Sequence, residues 1–110
     1  MTSPSNIAAG CAAPDQSAPI PASVDLTRET VLTGIVSNAE GEPIGGAYVR
    51  LLDSSGEFTA EVVSSPEGVF RFFAAPGSWT LRALSRSGNG ELVVDATVGV
   101  NEIGLSVAPA

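Results

Sequence analysis

The sequence predicts an all-β chain, a seven-stranded antiparallel β-sandwich, preceded by an unfolded tail. Three observations carry the sandwich. Apolar and polar residues alternate in short runs from Thr30 onward. Stretches rich in Gly, Pro, Ser and Asn separate those runs. No segment has the 3.6-residue period of an amphipathic helix, and short strands at regular spacing indicate two packed sheets. A barrel is the competing closure, and two layers suit so short a chain better.

The elements follow in order. Val31 to Val36 reads as a first strand with Leu32, Gly34 and Val36 on one face. After the turn-rich Asn38 to Gly46, the stretch from Ala47 to Asp53 places Ala47, Val49 and Leu51 inward and Tyr48, Arg50 and Leu52 outward. Phe58 to Ser64 makes a third strand in which Val62 and Val63 compete for the inside. The centre of the chain is Val69 to Leu84, two β-forming runs around Pro76-Gly77. Pro fixes φ and Gly supplies a positive φ, so this stretch is expected to fold as a hairpin. Its inner face carries Phe70, Phe72, Trp79 and Leu81, and its outer face carries Arg71 and Arg82. Arg86 to Gly90 reads as a flexible turn, Leu92 to Val98 as a sixth strand, and Ile103, Leu105 and Val107 as the inward positions of a seventh.

Length allows one domain at most. Residues 1–27 hold Pro4, Pro14, Pro19 and Pro21 among many Ala and Ser, too little apolar surface to order themselves. They are expected to form a flexible tail carrying Cys11, leaving residues 28–110 as the sandwich. About 80 residues make a marginal core. Twelve acidic residues against five arginines give a net charge of −7. Such a chain is repelled by phosphate backbones and anionic lipid, so neither nucleic acid nor a membrane surface is an expected partner. No run of about 18 apolar residues is present to span a bilayer. Ile7-Ala8-Ala9-Gly10-Cys11 matches a lipoprotein cleavage box, yet Met1 to Asn6 supplies neither the basic start nor the apolar run such a signal requires.

The residue types absent are informative. With no histidine and no lysine, Ser-His-Asp and Cys-His arrangements, His-ligated metals and Schiff-base chemistry have no participants. One cysteine cannot form a thiolate cluster within the chain. A calcium site at Asp53, Glu57 and Glu61 lacks the acidic loop pattern, and these acids read as solvated turn residues. No catalytic residue, metal or cofactor is expected, and the chain reads as a non-enzyme.

Two features remain as candidates. Arg50, Arg71 and Arg82 share outward parity with Tyr48, Phe73 and Leu84. If their strands share a sheet, they form a docking face suited to carboxylates or oxyanions. Otherwise the arginines pair across strands with Glu61 and its neighbours, and Phe73 is covered by the segment around Ile20 to Leu26. Cys11 is either an inert tail residue or a sulfur acceptor on a flexible arm. No basic neighbour lowers its pKa, so a partner would have to activate it.

Gly34-Ile-Val36, Gly41 to Val49, Gly68-Val-Phe70 and Pro76-Gly-Ser-Trp-Thr-Leu81 resemble the carboxypeptidase regulatory-like module, a prealbumin-like sandwich. More closely, Tyr48 to Val62 and Phe70 to Leu84 resemble a small actinobacterial family of unknown function. Its members are labelled SseC-like sulfur-metabolism proteins and are typically encoded beside thiosulfate sulfurtransferases, the rhodaneses. A cysteine near the N-terminus, here Cys11, also fits that family, although the lead-in before it is longer here. The resemblance implies a cytoplasmic accessory or binding protein that works with a rhodanese-type sulfurtransferase, with Cys11 as persulfide acceptor. The alternative is a structural or adhesive sandwich module of an extracellular lipoprotein. A transthyretin-like hydrolase is disfavoured, because that chemistry relies on histidine.

Overall fold

The computed structural model describes residues 19–20 and 24–109. Those residues form seven strands and no helix: β1 (Thr30–Ser37), β2 (Tyr48–Leu52), β3 (Phe58–Val63), β4 (Val69–Ala74), β5 (Gly77–Ser85), β6 (Gly88–Ala96) and β7 (Gly99–Ser106). They make a three-stranded sheet in the order β4-β1-β7 and a four-stranded sheet in the order β3-β2-β5-β6. The inner faces of both sheets meet in one core that includes Leu32, Val36, Val49, Leu51, Phe70, Phe72, Leu81, Ala83, Ile103, Leu105 and Val107. The expected β-sandwich is therefore observed, and every inward residue named here except Ala83 was assigned to the inside by its parity.

The partners of those strands are less simple. The central stretch is not a hairpin: β4 pairs with β1, whereas β5 pairs with β2 and β6. Pro76 and Gly77, the latter at φ 141°, turn the chain from one sheet into the other. Phe70 and Phe72 therefore meet the Leu81 side from the opposite layer. Alternation records which face is buried, and facing layers bury the same parity as a folded-back hairpin would. Trp79 is half-buried against the core, and its Nε1 donates to the Ala75 carbonyl at 2.8 Å. One pairing also departs from antiparallel order, since β1 and β7 run parallel from Thr30–Gly99 to Ser37–Ser106. At the fifth turn the strands continue further than expected. β5 and β6 form a hairpin with Arg86 and Ser87 as its two-residue loop, so β6 begins at Gly88 rather than Leu92.

The two sheets close along one side and part along the other. On the β6–β7 side, Asn89 and Ala108 exchange backbone hydrogen bonds of 3.0 Å. Asn101 fixes the β6–β7 connection, with Nδ2 donating to the carbonyls of Thr97 (2.8 Å) and Val31 (3.1 Å). In mid-sandwich, Gly34 lies under the Ile103 carbonyl, where a Cβ would collide with backbone. On the β3–β4 side, the buried Ser64 hydroxyl joins the 44–47 connection by accepting from the Ala47 amide (2.9 Å) and donating to the Ile44 carbonyl (2.8 Å). Beyond that turn, β3 and β4 are edge strands of different sheets.

Candidate functional site

The outer face of the four-stranded sheet holds a row of four charges. In register across the strands lie Glu61 of β3, Arg50 of β2, Arg82 of β5 and Glu91 of β6. Each arginine is held by the acid on its outer side. Arg50 Nε donates to Glu61 Oε2 at 2.7 Å, and Arg82 donates to Glu91 Oε2 from Nη2 at 2.7 Å and from Nε at 3.2 Å. The Nη donors of Arg50 make no hydrogen bond among the described residues. Both pairs are solvent-exposed, with side-chain accessibilities of 44% and 31% for Arg50 and Glu61 and 45% and 52% for Arg82 and Glu91. Exposed ion pairs contribute about 0–1 kcal/mol each, while like charges directly opposed on neighbouring strands oppose folding. Stability thus gives little reason to set two guanidiniums side by side on an acidic protein.

Apolar side chains border this row. Tyr48 is flanked in register by Val63 and Leu84 on one side of it. On the other, Val93 faces Thr80, and Phe58 faces Leu52 after a register shift between Leu51 and Leu52. Tyr48, Phe58 and Val93 are 52%, 60% and 64% exposed, and the Arg50 guanidinium stands 6.0 Å from the Phe58 ring centroid. Arginine with exposed aromatics describes an interface more than ordinary surface.

The five residues proposed as one docking face are divided by the fold. Tyr48, Arg50 and Arg82 come together on the four-stranded sheet. Arg71 and Phe73 lie on β4, on the outside of the other layer, where Arg71 is in register with Thr33 and Phe73 with Val31. The reason is the β4–β5 crossing, which sends equal parities to opposite sides of the molecule. Cys11 lies outside the described residues. Sequence reasoning missed Phe58 and Val93. The bulge at Leu51/Leu52 obscures the parity of β3, whereas Val93 shares the parity of Glu91 and was legible once β6 was placed.

Two of the three acids weighed for calcium, Asp53 and Glu61, have other partners. Asp53 Oδ1 accepts from the Ser55 hydroxyl (2.6 Å), the Ser55 amide (2.9 Å) and the Glu57 amide (3.0 Å), closing the β2–β3 turn. The Ser55 hydroxyl, followed by the Glu57 amide, holds the Asp53 carboxyl below the usual carboxylate range. Glu61 is bound to Arg50. Among the described residues no three His, Cys, Asp or Glu side chains gather as a metal site, and no helix is long and apolar enough to cross a membrane.

Comparison with known proteins places this geometry among relatives. The family described as "Protein of unknown function (DUF1416)" matches residues 11–107. Two uncharacterized proteins of Mycobacterium tuberculosis are each 59% identical over 98 residues, covering 88% of this chain and 98% of theirs. An uncharacterized protein of Mycolicibacterium smegmatis is 59% identical over 90 residues, covering 81% and 100%. Among solved structures, 5-hydroxyisourate hydrolase of Klebsiella pneumoniae is similar over 73% of this chain and 91% of its own, at a TM-score of 0.55 and 22% identity. A DUF3823 family protein of Parabacteroides merdae gives a TM-score of 0.57 at 21% identity, over 74% and 47%. These likenesses show the fold, a prealbumin-like sandwich.

Proposed function

We propose, for a chain that belongs to the DUF1416 family of proteins of unknown function, that it is a non-enzymatic binding module docking a protein partner through the outer face of its four-stranded sheet. The observation that carries this reading is the Arg50–Arg82 pair bordered by Tyr48, Phe58 and Val93. A second copy of the chain does not suit that face. A two-fold axis along the strands would set Glu61 on Glu91 and Arg50 on Arg82. One across them would set each charge on itself. A partner that offers carboxylates to the arginine pair and an apolar rim to the aromatics satisfies both.

The partner we infer is a thiosulfate sulfurtransferase of the rhodanese type, acting with this chain in cytoplasmic sulfur metabolism. The support is the resemblance of Tyr48 to Val62 and Phe70 to Leu84 to sulfur-metabolism proteins encoded beside such enzymes. In this reading Cys11 is the acceptor. Its thiolate attacks the outer sulfur of the enzyme's cysteine persulfide, the S–S bond breaks, and the enzyme thiolate leaves. A persulfide now stands on Cys11, and no external oxidant or reductant is consumed. The absence of histidine and lysine supports a role in which activation comes from the partner.

Mass spectrometry of Cys11 after incubation with thiosulfate and a turning-over sulfurtransferase tests the relay. A gain of one sulfur atom, lost in Cys11→Ser, is the expected result. An unmodified Cys11 would remove the relay. Retained capture of the enzyme by the double variant Arg50→Glu/Arg82→Glu would remove the docking face.

A further inference from the structure

The proposed docking face has three rows. Its centre is the row Glu61, Arg50, Arg82 and Glu91, one residue from each of four neighbouring strands. Val63, Tyr48 and Leu84 lie to one side of it, and Phe58 and Val93 to the other. Neighbouring strands stand about 4.8 Å apart, so the four charges recur at that interval and span about 14 Å. Their order is acid, base, base, acid, and all four are exposed. Each glutamate engages its arginine through Oε2, and neither Oε1 makes a hydrogen bond among the described residues. The Arg50 Nη donors are likewise unused there. The row can therefore take a further charge opposite each of its own.

The spacing selects the element that fits along this row. An extended segment sets same-face side chains about 6.8 Å apart, out of step with the charges after one strand. A helix rises about 1.5 Å per residue, so positions i+3, i+7 and i+10 lie about 4.5, 10.5 and 15 Å beyond position i on one face. Those are close to the intervals of the row. Net charge selects the side chains. A segment bearing acids alone suits two arginines but is repelled by a chain of charge −7. Bases at its two ends cancel that repulsion and meet Glu61 and Glu91. We propose, and the proposal rests on the docking face already inferred, that the partner lays one amphipathic helix across the four strands. Acids at i+3 and i+7 stand over Arg50 and Arg82, and bases at i and i+10 stand over the two glutamates. Apolar side chains at i+4 and i+6 flank that stripe on its two sides and cover Tyr48 and Phe58.

The test uses the full chain and a stapled helical peptide with Lys, Glu, Glu and Lys at those four positions and Leu at i+4 and i+6. Amide NMR titration is expected to give saturable shifts at Tyr48, Arg50, Arg82 and Val93. Replacing both lysines of the peptide by alanine should weaken it about tenfold. The quadruple variant Arg50→Glu/Glu61→Arg/Arg82→Glu/Glu91→Arg keeps the cross-strand pairs in reversed sense. It should lose this peptide and bind one of reversed charge order, Glu, Lys, Lys, Glu. Equal affinity for the alanine peptide, or no preference between the two charge orders by either protein, would overturn the helix. If the peptide fails while Arg50→Glu/Arg82→Glu abolishes capture of the sulfurtransferase, the helix falls and the docking face stands. If that double variant retains capture, both fall.

Discussion

Arg50 and Arg82 stand directly opposite one another on neighbouring strands, and each is tied by a 2.7 Å contact to a glutamate on its far side. The arrangement separates the stability of the sheet from the docking surface proposed above. Two exposed pairs contribute little, and the central opposition of like charges cancels part of that. What the row presents to solvent is two adjacent guanidiniums, each flanked by its glutamate, with apolar neighbours.

Replacing either arginine should therefore cost little stability and much binding. Arg50→Ala and Arg82→Ala are each expected to change unfolding free energy by no more than about 1 kcal/mol. Thermal denaturation reads that, and co-precipitation of the proposed sulfurtransferase partner reads the binding. A large destabilisation with retained capture would reverse the assignment.

Among the described residues Phe70 is the largest wholly buried side chain, and it sits in the core beside Phe72 at a centroid distance of 6.3 Å. Phe70→Ala should cost about 3–5 kcal/mol, enough to unfold much of the population of a domain this small. Phe70→Leu keeps most of the volume and should cost substantially less. Chemical denaturation of the pair measures the difference.

Asn101 joins the β6–β7 connection to β1 through the Val31 carbonyl. It is expected to be worth more than an ordinary surface amide. Asn101→Ala leaves the Thr97, Gly99 and Val31 carbonyls short of a donor and should destabilise by about 1–3 kcal/mol. Hydrogen exchange should quicken first at β7, whose parallel pairing with β1 begins beside this residue.

Asp53 ties its turn together as a carboxylate, held below the usual range chiefly by the Ser55 hydroxyl. A depressed folded-state pKa means the stabilisation is present above the unfolded value and lost as pH falls through the folded one. Stability is therefore expected to decline below about pH 4, and Asp53→Asn should flatten that part of the profile. Denaturation midpoints between neutral and acidic pH decide it, and an unchanged acid limb in the variant would refute the contribution.

Much of this molecule was legible one residue at a time. Period-two alternation put Leu32, Val49, Phe70, Leu81 and Leu105 inside, and all of them are buried. It also put Tyr48, Arg50 and Arg82 outside, since side-chain parity is a local property of extended chain. Strand partnership is different, because it depends on segments far apart in sequence. Nothing local to Val69 to Leu84 reveals that Pro76-Gly77 carries the chain between layers. Nor does Ile103 or Leu105 announce a parallel neighbour in β1. The proposed docking face therefore needed the tertiary structure, which kept Arg50 with Arg82 and sent Arg71 with Phe73 to the opposite side. Burial pattern is written in each strand, whereas which strands lie side by side is settled by the packing of the whole.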